Sequence, residues 1–174
     1  MKHDMKRTTD IEAYAALDFE ASSLSPDSWP IEVGLSWLEN GYVQTWSSLI
    51  RPASSWSLFD WSLQSAAVHG ITLEALHDAP IAAEVVDKFF EHLTGKVPVS
   101  DAPEFDAPWL SRLLQAGGGV TTQKVEDYDH VSFAHFSGLA LDMLYESLER
   151  DPAPHRAGPD SARLVRAWRK AQQY

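Results

Sequence analysis

The early part of the chain is built from short apolar runs separated by Gly, Pro and Ser clusters, and helical periodicity takes over after Pro52. Tyr14-Ala15-Ala16-Leu17-Asp18-Phe19 has the pattern of a buried strand and leads into a Ser-rich loop with Pro26 and Pro30. Residues 31–38 and 42–50 flank Glu39-Asn40-Gly41, where Asn-Gly is a strong two-residue hairpin signal, so strands two and three are expected as antiparallel neighbours. The helical period is weak through residues 60–77 and clear through 81–90, with Pro80 suited to the helix start and Gly95 to its end. Val97-Pro98-Val99 reads as a short fourth strand. A helix then runs through about Gln115 and stops at Gly117-Gly118-Gly119. Residues 121–126 are expected to form a fifth strand, with helices near 131–147 and 160–172. A hairpin followed by alternating strands and helices predicts a mixed α/β sheet with helices on its faces.

With 174 residues and 44% hydrophobic content, the chain fits one compact domain with a sizeable core. The compositional breaks are the polar first nine residues and the loop Asp151-Pro152-Ala153-Pro154, and neither separates domains. Residues 1–9 are accordingly expected as a flexible polar N-terminus and residues 10–174 as a single domain. The absence of cysteine removes disulfides and thiolate zinc sites. Met1-Lys2-His3-Asp4-Met5-Lys6-Arg7 leads into polar residues, not an apolar signal region, and no apolar run approaches the roughly 20 residues of a membrane span. A soluble cytoplasmic protein is the expectation. A net charge of −11 argues against a protein that coats long nucleic acid through many Lys and Arg contacts. Carboxylates gathered around cations would contribute to that negative total while the cations supply positive charge where phosphate sits, so short substrates fit better than long duplexes.

The candidate chemistry lies in three separated segments: Asp18 and Glu20 in Leu17-Asp18-Phe19-Glu20, Asp106 after Phe105, and His155 with Asp160 in His155-Arg156-Ala157-Gly158-Pro159-Asp160. Hydrolysis of a phosphodiester requires an activated water and neutralisation of charge on the phosphate and the departing oxygen. Two hard divalent cations roughly 4 Å apart meet both needs, and Mg²⁺ or Mn²⁺ takes oxygen ligands. Asp18 and Glu20 are two apart, so on a strand they share a face and can serve one metal pair. His155 sits in a Pro- and Gly-containing loop, and an imidazole suits a general base.

The order and content of these segments resemble the DEDDh family of 3′→5′ exonucleases, which includes proofreading subunits and oligoribonucleases. Asp18-Phe19-Glu20-Ala21-Ser22-Ser23-Leu24 is similar to the family's first motif, Phe105-Asp106 to its second, and His155-Arg156-Ala157 with Asp160-Ser161 to its third. Val68-His69-Gly70-Ile71-Thr72, with Pro80 downstream, resembles the intervening segment. The resemblance implies a ribonuclease H-like fold: a mixed five-stranded sheet, antiparallel hairpin plus parallel strands, flanked by helices on both faces. It further implies that Asp18, Glu20, Asp106 and Asp160 hold two divalent ions, Mg²⁺ or Mn²⁺, with His155 as the base. Ala21, Ser22, Ser23, Leu24 and His69 would contact substrate, Leu24 touching the terminal base. The expected partner is a single-stranded nucleic acid 3′ end or short oligonucleotide and no membrane; oligomeric state stays open, a homodimer included.

Each residue also has an ordinary reading. Asp106 fits a helix N-cap ahead of Ala107-Pro108, Asp160 a first-turn carboxylate favoured by the helix dipole, Glu20 a solvated strand end and His155 a surface-loop histidine. His69 suits a capping or core role equally well. Most of the seven Trp residues read as packing, with Trp56 and Trp61 the better candidates for base stacking. Arg156 and Arg112 are available for phosphate, though their spacing assigns neither. The second motif departs most from the family. Many relatives have His-Asn ahead of x-x-x-Asp, whereas Ser100-Asp101-Ala102-Pro103-Glu104-Phe105-Asp106 brings a charge into that stretch. Asp101 would repel phosphate unless a metal or basic partner compensates, or it caps the helix with Glu104 at capping-box spacing. Ser23 stands where the family usually has Gly. Two rival functions remain: a non-catalytic interaction module on the same fold, and a phosphodiesterase acting on dinucleotides or other small phosphate esters.

Overall fold

Alternation along β1 (Tyr14–Ala21) decides where the acidic residues emerge. Ala15, Leu17, Phe19 and Ala21 point to one face and join the larger core, while Ala16 and the half-buried Tyr14 point to the other, followed on that second face by Asp18 and Glu20. The computed structural model describes residues 11–119 and 122–174. The expectation for residues 1–9 and the expected beginning of the fifth strand at residue 121 lie outside the described residues.

β1 pairs antiparallel with β2 (Pro30–Glu39), which pairs antiparallel with β3 (Tyr42–Leu49). Asn40 and Gly41 join the last two with positive φ values of 52° and 78°, the tight turn that the Asn-Gly pair predicts. On its other edge β1 pairs in parallel with β4 (Val97–Ser100), and β4 with β5 (Glu126–Asp127), giving the order β3-β2-β1-β4-β5. The fifth strand is thus much shorter than expected.

Two short helices, α1 (Leu63–His69) and α2 (Leu73–His77), account for the weak period of residues 60–77; Ser62 and Thr72 cap them, and Gly70 at φ 69° breaks between them. Helices α3 (Ala82–Leu93) and α4 (Pro103–Gly117) cover the first face of the sheet, packing Val85, Phe89, Leu110 and Leu113 onto Leu17, Val33 and Leu35. The opposite face carries α5 (Tyr128–His135), α6 (Leu139–Arg150) and α7 (Ala157–Ala171), with Trp168 stacked on Tyr128 at the centre. The helix expected over 131–147 is two helices, because Gly138 adopts φ 55° and ψ −133°, backbone that only glycine accepts readily. Among the described residues no helix is long and apolar enough to cross a membrane.

α7 docks on a rail supplied by alternate residues of β2. Val33, Leu35 and Trp37 face the core under α3 and α4, and Ile31 the smaller cluster of Trp29, Ile71 and Leu76, leaving Glu32, Gly34 and Ser36 toward α7. Glu32 accepts from the backbone N–H of Ala157 at 3.0 Å and from both Arg156 Nε (2.9 Å) and Nη2 (2.6 Å). The Ser36 hydroxyl meets that of Ser161 at 2.9 Å. Between them Gly34 admits the helix: a Cβ there would lie 2.1 Å from the Ala157 carbonyl oxygen. Gly34 is also the register partner of Asp18, so this close approach sets α7 directly over the acidic end of β1.

Candidate active site

A cleft of about 380 Å³ opens at the C-terminal ends of β1 and β4, lined by Asp18, Glu20, Leu24, His69, Asp101, His155, Asp160 and Arg163 among others. Carboxylate oxygens of Asp18, Glu20 and Asp160 lie within 4.8 Å of one another, and so do those of Asp18, Asp101 and Asp106. Asp18 belongs to both triads, as its position on the central strand between α4 and α7 requires. All oxygen donors are hard, which fits Mg²⁺ or Mn²⁺. Two of them, Asp18 Oδ2 and Asp160 Oδ1, are buried without a hydrogen-bond partner, an arrangement that is costly unless a cation or proton compensates it.

The ordinary readings of the acids fail or are incomplete. Ala102, not Asp101 or Asp106, occupies the N-cap position of α4, and its backbone N–H donates at 2.9 Å to the hydroxyl of Ser100. Asp106 is 2% exposed inside the first turns of α4, where its Oδ2 accepts from the Ser100 hydroxyl. Asp160, 9% exposed, does serve the start of α7, because its Oδ2 accepts from the Arg156 backbone N–H at 3.1 Å, but its second oxygen is left over. Glu20 is half-buried, not a solvated strand end.

His155 stands in the exposed loop before α7, at the cleft wall, with φ +58°. That left-handed conformation is uncommon for a residue with a Cβ and recurs at functional sites. Leu24, 74% exposed, forms part of the rim beside Ala21 and Ser23. Ser22 stands apart: it is fully buried and its hydroxyl accepts from the Trp29 backbone N–H at 3.0 Å. Asp60 ties this loop together, accepting from Ser23 at 2.9 Å and Ser25 at 2.7 Å. His69, buried, takes the capping and core role and also lines the cleft. Its Nδ1 accepts from the Ile71 backbone N–H at 3.0 Å, which places the proton on Nε2, and Nε2 is buried without a partner.

Trp56 and Trp61 pack against Trp29 with ring centroids 5.8 and 5.9 Å away, and neither lines the cleft. Arg156 is held by Glu32, and Arg112 donates to the Pro26 carbonyl at 2.8 Å. The residues that the motifs did not point to are Glu32, Gly34 and Ser100. A charged residue and a glycine at alternate positions of an otherwise apolar strand were the available signal for the first two.

Gathering these acids has an electrostatic consequence. Burial is the main cause that pushes Asp18 well up from the usual carboxylate range, with Asp106, Glu20, Asp160 and Asp101 adding repulsion. Burial likewise raises Glu20 to about 7, aided by Asp160 and Glu32 and opposed by Arg156. Asp106 rises to about 8, chiefly through burial, against the lowering effect of the Ser100 hydroxyl. Asp160 is raised by burial while the Arg156 N–H and the charge of His155 oppose it. In the unfolded chain these groups lose their protons near pH 4. Between there and about pH 8 the folded, metal-free state therefore binds more protons, and its stability falls as pH rises. Melting temperature measured in chelator should drop from about pH 5 to about pH 8, and Mn²⁺ should raise it more at the upper end. A flat profile in chelator would remove the mutual repulsion.

No family model matches the chain. It is 26% identical over 158 residues to the PolC-type DNA polymerase III of Thermotoga petrophila, and equally to that of Thermotoga maritima, an alignment covering 87% of this chain and 11% of each polymerase. The chain thus spans about a tenth of the length of these curated relatives. Among solved structures it is similar to the nuclease domain of 3′hExo, a DEDDh family member bound to rAMP, with a TM-score of 0.69, 16% identity and coverage of 94% and 93% of the two chains. The cell-death related nuclease CRN-4 superposes with a TM-score of 0.63 at 11% identity, covering 94% of this chain and 64% of that one. Exonuclease I of E. coli in complex with a dA16 oligonucleotide gives 0.63 at 11% identity over 92% of this chain and 40% of the other. Strand order, the helices on both sheet faces and these superpositions agree: the chain has the ribonuclease H-like fold of the DEDDh 3′-exonucleases, as its acidic segments imply.

Proposed function

We propose that this chain is a divalent-metal-dependent hydrolase, a 3′→5′ exonuclease that removes nucleoside 5′-monophosphates from the 3′ end of short single-stranded RNA or DNA. The observation that carries this reading is the pair of carboxylate triads joined at Asp18 in one cleft. Bound between these triads, Mg²⁺ or Mn²⁺ ions would supply Lewis-acid stabilisation of the attacked phosphate and of the departing oxygen. Asp18, Glu20 and Asp160 would hold one ion, and Asp18 with Asp106 the other. His155, on the exposed loop between α6 and α7 at the cleft wall, takes the proton of the attacking water at an imidazole nitrogen once substrate draws it within hydrogen-bond reach. The His69 Nε2–H, buried beside the cleft without an acceptor, donates to the substrate backbone. Leu24, exposed at the rim, contacts the terminal base. That 3′hExo carries rAMP and exonuclease I a dA16 strand supports a nucleic-acid 3′ end as the substrate.

A time course with Mn²⁺ on 5′-labelled single-stranded RNA and DNA, resolved at single-nucleotide spacing, tests the class. A descending ladder is expected, slowed when the 3′-hydroxyl is blocked. Internal cleavage products would instead make it an endonuclease, and turnover of dinucleotides without any polymer degradation would favour the small-ester phosphodiesterase. In the same assay His155→Ala should bind Mn²⁺ normally yet turn over roughly 10²-fold or more slowly, the usual contribution of a general base. Wild-type rates in that variant would assign water activation to another group.

A further inference from the structure

Asp101 follows β4 on the rim of the cleft, and its carboxylate lies within 4.8 Å of those of Asp18 and Asp106. Oxygens sharing one Mg²⁺ ion at about 2.1 Å stand between about 3.0 Å (neighbouring) and about 4.2 Å (opposite) apart, so a triad gathered within 4.8 Å is of the size that one cation can draw together by side-chain rotation. Three further observations favour such a site. Asp18, the residue common to both triads, has its Oδ2 buried with no hydrogen-bond partner. One oxygen of Asp106 already accepts from the Ser100 hydroxyl, reducing what Asp106 alone can offer a cation. Asp101 has no salt-bridge partner among the described residues, and Arg163, the cation lining the same cleft, directs its guanidinium to the carbonyl oxygens of Asp151 and Leu148. Neither a cap nor an ion pair explains its place.

We infer that Asp101 is a direct ligand of the second divalent cation, sharing it with Asp18 and Asp106, so that five carboxylates hold the two ions of this cleft. The inference rests on the metal-dependent reading above and deepens it. An added anionic oxygen raises the affinity of a hard-cation site, as charge count does in other carboxylate cages. It also makes the cleft more negative by about one charge once two divalent ions are bound, which disfavours long polyanions and suits short oligonucleotides.

The test is Mn²⁺ binding to the intact chain, followed by electron paramagnetic resonance of free Mn²⁺ and by calorimetry, without substrate. Wild type should bind two ions. Asp101→Asn, isosteric and on an exposed rim, should keep the first site and weaken the second by at least about tenfold. Glu104→Gln removes an exposed carboxylate three residues on that belongs to neither triad, and should leave both affinities unchanged. Equal weakening in the two variants would mean that Asp101 acts only through the general field, and overturns the inference. Unchanged affinities in Asp101→Asn overturn it as well, leaving the metal-dependent reading intact. If wild type binds no Mn²⁺, both readings fail together.

Discussion

Asp18→Asn is expected to lower metal-dependent turnover by on the order of 10³-fold or more while making the metal-free protein melt at a higher temperature. The two effects have one cause. Asp18 contributes to both triads, so in the proposed metal-bound state its loss would remove a ligand from each ion at once. In the metal-free fold the same carboxylate is raised well above its usual range by burial first, and then by Asp106, Glu20, Asp160 and Asp101. A carboxyl with a raised folded pKa destabilises the fold above its unfolded pKa, since ionisation is favoured in the unfolded chain. A neutral amide removes that cost. The gain should be a few degrees near pH 8 and should shrink as pH falls and the wild-type carboxyl regains its proton. An Asn variant with undiminished turnover would remove the metal assignment; one that loses activity because it melts lower at pH 8 would show that Asp18 supports the fold.

Gly34→Ala should damage the site from a distance. Its added methyl would overlap the Ala157 carbonyl oxygen, 2.1 Å from the ideal Cβ position, and the Gly158 nitrogen at 2.6 Å, both rigid backbone in the first turn of α7. Overpacking of this kind costs about 3 kcal/mol, which for a domain of this size is a drop of roughly 10 °C in melting temperature. Relief comes by lifting the start of α7, and Asp160 and His155 move with it. A displacement of about 1 Å at catalytic groups is enough for roughly a 10²-fold loss of turnover. Crystals or amide-exchange profiles of the variant should place the disturbance at the α7 N-terminus and the Glu32 contacts. Wild-type melting and turnover would mean that the helix is not held by this approach.

Much of the architecture was legible in local chemistry. Asn40-Gly41 determines a tight hairpin because both residues accept positive φ, and the alternation of β1 determines that Asp18 and Glu20 share a face. The helices packed on the core over residues 82–93 and 103–117 follow from periodicity and from the glycines that end them. Two features depart from the local pattern. Residues 131–147 carry enough apolar positions for one helix, and the break at Gly138 depends on a backbone conformation that periodicity does not report. The fifth strand is defined by partners on β4, a pairing between segments distant in the chain, so its extent of two residues was not visible locally.

The candidate site divides in the same way. Sequence by itself determined which residue types could do the chemistry, because hard cations require carboxylates, and determined their order along the chain, which carries the family resemblance. It left Asp101 undecided between a helix cap and a charge turned toward the substrate, and gave Glu32, Gly34 and Ser36 no role. Tertiary structure decided those points. Asp101, Asp106 and Asp18 come from different elements, and only packing of α4 against β1 and β4 brings their oxygens within 4.8 Å. Asp160 reaches the same place because an alternate-residue rail on β2, a buried acid, a missing side chain and a hydroxyl, seats α7 over β1. Local preference acts over a few residues, whereas repulsion among buried carboxylates and the close approach of two backbones arise only when remote segments are pressed together by the core.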